Sequence, residues 1–217
     1  MYKTHIYFMP GLGVGPEIFK KLTLLPEFEL HYLEWKKPIS QEETLINYAM
    51  RMAGDVTHKK PILIGVSFGG ILVQEMSKFI ETQKIIIISS VKSKNEFPKR
   101  FKFASVSNIY KLFPTNIIAN FENYSKFFIG KYLRKKAENY KKYLTVRDKT
   151  YIDWSIHNVL NWTQEIPLKN ILHIHGTKDN VFPIRYIQNC EQIIDGDHAM
   201  IIIKAKRISE IINNYLN

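Results

Sequence analysis

Short apolar runs alternate with amphipathic stretches at both ends of the chain, and this rhythm predicts strands alternating with helices. The run at residues 4–8 ends against Pro10-Gly11, the run at 61–65 ends just before Ser67, and residues 84–89 are nearly all isoleucine. A strand that is apolar at every position is buried on both faces, which requires a parallel sheet covered by helices. Residues 28–35 mix aromatic, aliphatic and acidic positions and predict a strand nearer the edge of the sheet. Residues 41–56 are rich in helix formers, with Ser40 as N-cap and Glu43 three residues later, and residues 70–82 predict a second helix. The rhythm returns as a strand at 171–175, a short helix at 185–190, a strand at 191–194 and a helix at 199–215.

From residue 91 to about 165 the pattern changes. Aromatic and basic residues interleave, strand alternation is weak, and residues 116–128 and 132–144 have helical patterning. There is no internal repeat and no low-complexity linker. The fold class predicted is α/β, a doubly wound, mostly parallel sheet of about six strands. Its core is expected from residues 1–90 and 168–217, with a helical cap inserted at 91–167.

Composition narrows the class. The 217 residues are 45% hydrophobic and 24% charged, ordinary values for a globular protein. No apolar run approaches the ~20 residues that span a bilayer, and no secretory signal pattern opens the chain, so a cytoplasmic protein without a membrane span is expected. The single cysteine, Cys190, excludes an intramolecular disulfide and a thiolate metal cage, and reads as buried or incidental. The net charge of +11 is unevenly placed: residues 91–150 hold fifteen Lys/Arg against four Asp/Glu, and the remainder is balanced. That excess fits a lysine-rich solvated surface, or attraction of an anionic substrate such as an acyl-coenzyme A ester. No nucleic-acid-binding motif accompanies it, so no nucleic-acid partner is expected.

The sharpest chemical signal is Gly65-Val66-Ser67-Phe68-Gly69-Gly70, a G-x-S-x-G pattern between a predicted strand and a predicted helix. A nucleophilic serine there sits on a turn tight enough to lift its hydroxyl above the sheet, and side chains two positions either side would collide. A serine hydroxyl also needs a base. Of seven histidines, His198 alone follows a predicted strand across a tight turn, Asp195-Gly196-Asp197, at the C-terminal edge where ligands bind in such sheets. His173 and His175 fall on one strand face beneath helices, His5 and His31 lie in or beside early strands, His58 precedes Lys59-Lys60, and His157 lies in the insertion. Asp179, after the strand at 171–175 and the Gly176 turn, is the carboxylate placed to orient the imidazole. Asp195 and Asp197 stand too near His198 in sequence to reach its ring comfortably.

An oxyanion hole would use the N–H after the nucleophile, that of Phe68, and another from the loop Pro10-Gly11-Leu12-Gly13-Val14-Gly15-Pro16. The same loop fails as a dinucleotide fingerprint, because its third glycine comes one residue early and Pro16 follows.

Four motifs carry a resemblance: Pro10-Gly11-Leu12-Gly13, Gly65-Val66-Ser67-Phe68-Gly69-Gly70, His175-Gly176-Thr177-Lys178-Asp179, and Gly196-Asp197-His198-Ala199-Met200. Through them the chain resembles the α/β-hydrolase superfamily over residues 4–90 and 168–217. The resemblance implies a cap inserted after the strand at 84–89, and Leu12 and Phe68 as oxyanion donors by matching position. It implies a serine hydrolase acting on a small-molecule acyl ester or thioester through an acyl-enzyme, with Ser67, His198 and Asp179 as its triad and neither cofactor nor metal. A non-catalytic ligand-binding or scaffolding relative is the alternative. Two features depart from the common pattern: the loop begins Pro10-Gly11 where many members carry His-Gly, and the core is expected to start at the strand before this loop, without the two strands that open larger members. The aromatics of residues 91–167 either line an acyl pocket or join the cap helices to the core.

Overall fold

The computed structural model describes residues 3–107 and 143–217. The helical stretches expected at 116–128 and most of 132–144 lie outside these residues. Six strands form one sheet: β1 (Thr4–Met9), β2 (Phe28–Tyr32), β3 (Ile62–Val66), β4 (Lys84–Ile88), β5 (Ile171–Gly176) and β6 (Glu191–Ile193). Every neighbouring pair is parallel, in the order β2-β1-β3-β4-β5-β6.

The all-apolar strands have the two-sided burial that their sequences predict. Tyr7, Leu63, Ile85 and Ile87 belong to the core on one side of the sheet, together with Leu45, Tyr48 and Met52 of α1 (Leu45–Ala53) and most of α2 (Phe68–Met76). Ile6, Phe8, Ile62, Ile64, Ile86 and Ile88 alternate with them and pack on the other side with α5 (Met200–Ile203) and α6 (Ala205–Leu216). Between β4 and β5 the described residues contain α3 (Lys99–Ser107) and α4 (Lys149–Leu160).

Strand order fixes where a ligand belongs. From β1 the chain passes outward to β2, then crosses back to β3 on the other side of β1. The connections after β1 and β3 therefore diverge, leaving a crevice above the C-terminal ends of those strands. The loop after β1 is the glycine-rich segment, and the turn after β3 carries Ser67.

Several elements differ from their predicted extents. The first long helix starts with Thr44 as N-cap, its hydroxyl accepting from Asn47 N–H at 3.2 Å, and not with Ser40. Glu43 is drawn away from helix geometry: its carbonyl accepts from the Trp154 indole at 2.6 Å, and its carboxylate binds Ile39 N–H and Arg51. The helix expected at 185–190 is a single 3-10 turn, Ile184–Tyr186, because the Gln188 and Asn189 carbonyls receive the Lys92 ammonium. The helix at 70–82 runs over Phe68–Met76, and that at 199–215 divides into α5 and α6 at Lys204. Among the described residues no helix is long and apolar enough to cross a membrane.

Candidate active site

Ser67 adopts φ 53° and ψ −121°, a backbone conformation that non-glycine residues rarely occupy. It costs about 1–3 kcal/mol and persists because its surroundings over-determine it. Ser67 N–H donates to the Ile88 carbonyl at 3.0 Å, and the Ser67 carbonyl accepts from Gly70 N–H and from the Ser90 hydroxyl at 2.7 Å. The flanking glycines are steric necessities. A Cβ on Gly65 would lie 2.3 Å from the Gly69 carbonyl oxygen, and one on Gly69 would lie 2.3 Å from that of Pro10. The second contact is the one that seats the start of α2 against the loop after β1.

Three side chains far apart in sequence meet above this elbow. Ser67 Oγ stands 2.9 Å from His198 Nε2, and His198 Nδ1 stands 2.9 Å from Asp179 Oδ2. The approach of the loops after β5 and β6 explains the meeting. Lys178 N–H donates to the Gly196 carbonyl at 2.8 Å, and Gly176 and Gly196 touch so closely that a Cβ on Gly176 would lie 2.3 Å from Gly196 O. Asp179 Oδ1 accepts from Val181 N–H at 2.8 Å and Phe182 N–H at 2.9 Å, which leaves Oδ2 for the imidazole.

Electrostatics follow burial. The Asp179 side chain is 0% exposed while that of His198 is 23% exposed. Burial alone raises the Asp179 carboxyl, but the attraction of His198 when it carries a proton, with its hydrogen bond and the Phe182 N–H, outweighs it and holds the group below its ordinary value. An ionised, fully bonded carboxylate therefore faces one imidazole nitrogen while the other faces a hydroxyl, an arrangement that can withdraw the serine proton as an attacking bond forms.

Behind the carboxylate lie His175 and His173, both buried. His175 Nε2 donates to the Phe182 carbonyl at 2.8 Å, which makes its Nδ1 an acceptor for His173 Nε2–H at 3.0 Å. Burial lowers the pKa of both rings, His173 the more strongly, and keeps them neutral. His175 thus holds Phe182 through its carbonyl, while the N–H of the same residue binds Asp179.

The remaining expected residues lie at the same crevice. Phe68 opens α2 directly after Ser67, where a helix's first N–H groups have no acceptor within the helix. Leu12 is buried in the loop after β1, next to Gly11, whose added Cβ would meet Ser67 Cβ at 3.5 Å. Of the aromatics expected at 91–167, Phe97, Trp154 and Trp162 are core residues, Phe101 is partly buried and Phe103 is exposed. Tyr110, Phe113, Phe121, Phe127 and Phe128 lie outside the described residues. Cys190 is half-buried, and burial raises its thiol pKa.

Residues that the sequence patterns did not single out hold the glycine-rich loop in place. Trp35 stacks on Phe68 with ring centroids 5.0 Å apart, and its indole N–H donates to the Gly11 carbonyl at 2.8 Å. Gly13 N–H donates to the Tyr151 hydroxyl at 3.3 Å, while the Gly13 carbonyl accepts from Thr145 and Val146 N–H. The loop is thus pinned by β2's exit on one side and by the segment preceding β5 on the other.

No protein-family model matches the sequence, and a comparison with curated proteins finds no match. Solved structures do match. A lipase-esterase related protein from Clostridium acetobutylicum aligns at 20% identity and TM-score 0.68, covering 98% of this chain and 94% of that one. The epoxide hydrolase of Bacillus megaterium aligns at 13% identity and TM-score 0.71, with coverages of 99% and 93%. The enol-lactonase of Burkholderia xenovorans aligns at 14% identity and TM-score 0.68, with coverages of 99% and 91%.

Proposed function

We propose that this chain, which has the α/β-hydrolase fold, is a serine hydrolase that cleaves a carboxylic ester or thioester through an acyl-enzyme. The observation that carries this reading is the continuous hydrogen-bonded line from Ser67 Oγ through His198 to the buried Asp179 carboxylate. In the first half-reaction Ser67 Oγ attacks the acyl carbon as His198 Nε2 takes its proton. The Leu12 and Phe68 N–H groups hold the oxyanion, and His198 returns the proton to the leaving group. Water then repeats the sequence on the acyl-serine, and Asp179 stabilises the imidazolium in both steps.

Fold alone does not choose the substrate, since the structural relatives act on different bonds. A serine nucleophile favours an acyl carbon. Serine attack on an epoxide carbon would leave an alkyl ether, which has no carbonyl for water to attack and would stop turnover. An acyl carbon gives a serine ester that the same site can hydrolyse, and esters and thioesters demand least of it.

Residues 91–167 act in this reading as the cap that selects the acyl or leaving group. Its described parts touch both halves of the site. Arg100 donates to the Asn180 and Val181 carbonyls beside Asp179, and Phe97 and Phe101 pack on Phe182, whose ring lies 5.6 Å from that of His198. At the other side, residues 145–146 bond to Gly13.

The test is hydrolysis of a p-nitrophenyl ester and acyl-coenzyme A chain-length panel by wild type and Ser67→Ala. Turnover should fall at least ~10³-fold in the variant. Equal turnover by both would refute the mechanism, and absence of turnover on every carbonyl substrate by a folded wild type would favour a binding protein.

A further inference from the structure

A second cluster of chemically capable side chains lies at the other end of β1. His5 and Tyr7 share one face of β1, Glu29 and His31 share the same face of β2, and the register sets His5 opposite Glu29 and Tyr7 opposite His31. The third histidine arrives from a different segment, the loop that leads from α1 to β3, where His58 follows Thr57. One ring nitrogen from each of His5, His31 and His58 lies within 4.8 Å of the other two. All three residues are half-buried, open to solvent yet held by neighbours.

We propose that His5, His31 and His58 form a binding site for a divalent transition-metal ion of the zinc class, remote from Ser67 and serving to fasten the edge of the sheet. Imidazole nitrogens suit zinc, nickel and copper, and three of them are a sufficient protein ligand set with water in a fourth position. Ligands at ~2.0–2.1 Å from a tetrahedral ion stand about 3.3 Å apart. His5 Nδ1 and His31 Nε2 are already 3.0 Å apart, sharing a proton in a hydrogen bond. With His31 Nε2–H as donor to His5 Nδ1, an ion takes that proton's place as His31 moves it to its own Nδ1, and His5 keeps its proton on Nε2, so only His31 changes tautomer.

His58 carries the feature expected of a ligand held from behind. Its Nδ1 lies 2.6 Å from the Tyr7 hydroxyl, which also accepts from Thr57 N–H and stands 3.3 Å from Thr57 Oγ1. With Nδ1–H donating to Tyr7 and the Tyr7 hydroxyl donating to Thr57, the lone pair of His58 falls on Nε2. Fixing a tautomer in this way is the usual work of groups behind metal-bound histidines. The His58 ring now stacks on His5 with centroids 3.5 Å apart, so coordination requires it to swing until the ion lies in the plane of both rings. That is a side-chain rotation at a solvent-facing loop. Glu29 Oε1, 3.9 Å from His31 Nε2, adds the negative charge a cation favours.

The gain would be mechanical. β2 is the terminal strand of the sheet, paired within it to β1 alone among the described residues, and an ion on His5, His31 and His58 ties β2, β1 and the loop before β3 together. The strand from His5 to Met9 rises about 13 Å, and Ser67 lies beyond Gly65, the partner of Met9, so the ion is outside the reach of Ser67.

The test is a calorimetric titration of chelator-treated, full-length protein with Zn2+, with circular dichroism of every variant and a parallel titration with Co2+. The proposal expects one Zn2+ per chain and visible Co2+ absorption of a four-coordinate nitrogen-rich site. It also expects a Tm rise of about 5–10 °C at a hundredfold excess over Kd. His31→Ala and His58→Ala should each weaken binding at least ~10-fold, and His198→Ala should leave it unchanged. Should His31→Ala fail to fold, His58→Asn in the loop decides alone. Failure of wild type to bind Zn2+, or binding that His58 variants leave intact, would overturn the site.

Discussion

Replacing Gly69 with alanine puts the geometric account of the site to a quantitative test. The added methyl would lie 2.3 Å from Pro10 O, 2.4 Å from Met9 O and 2.9 Å from the Met9 carbonyl carbon. An ordinary carbon–oxygen contact is about 3.3 Å, so α2 and the end of β1 must separate by about 1 Å. Both obstacles are backbone and cannot rotate aside, which places the cost near the upper end for overpacking, about 3 kcal/mol. For a chain of this size that lowers Tm by about 6–12 °C. The displacement falls between the two elements that carry Ser67 and Phe68 on one side and Gly11 and Leu12 on the other. A misplacement of that size can cost ~10²-fold in rate, read as kcat/KM on a p-nitrophenyl ester. Gly11→Ala is the control: its methyl would meet atoms at 3.5, 3.6 and 4.0 Å, ordinary contacts, so stability should stay within about 1 kcal/mol of wild type. A Gly69→Ala protein with wild-type Tm and kcat/KM within threefold of wild type would refute the reasoning.

Asp179→Asn can still accept from Val181 and Phe182 N–H through its side-chain carbonyl, so it should fold while kcat falls about 10³–10⁴-fold; unchanged kcat would remove Asp179 from the mechanism. Ser67→Gly should unfold at higher denaturant than Ser67→Ala, by about 1 kcal/mol, because glycine occupies φ 53° without strain, and equal midpoints would show that the elbow stores none. His173 and His175 are held neutral in the fold by burial, yet take up protons when unfolded below about pH 6.5. Stability is therefore complete above that pH and declines as pH falls toward the depressed folded values, at up to ~1.4 kcal/mol per pH unit for each ring. Urea unfolding between pH 7.5 and 5 should show this slope, and His173→Gln should flatten it; an unchanged slope would assign the effect elsewhere.

The sheet and its crevice were legible because their determinants are local. Consecutive aliphatic positions such as Ile62–Ile64 and Ile85–Ile88 specify doubly buried strands, and the spacing of Gly65, Ser67 and Gly69 specifies an elbow, although Gly69 itself packs on Met9 and Pro10 far upstream. Asp179 and His198 were legible by position, each just beyond a strand's C-terminal end. Trp35, Tyr151 and Ser90 were not, since their partners at Gly11, Gly13 and Ser67 lie 24, 138 and 23 residues away, and nothing in their local pattern separates them from ordinary core residues. The same distance effect moved the start of α1. Ser40 and Glu43 have capping-box spacing, but the Trp154 indole, 111 residues downstream, claims the Glu43 carbonyl and leaves Thr44 to cap the helix.

The most direct measurement is intact-mass spectrometry after exposure to a fluorophosphonate, which bonds only to a serine whose proton a neighbouring base can take. Wild type should gain one phosphonyl group, mapped by peptide fragmentation to Ser67, while Ser67→Ala gains none and His198→Ala reacts at least ~10³-fold more slowly. A folded wild-type protein that stays unmodified, or one modified at the same rate without His198, would contradict the account.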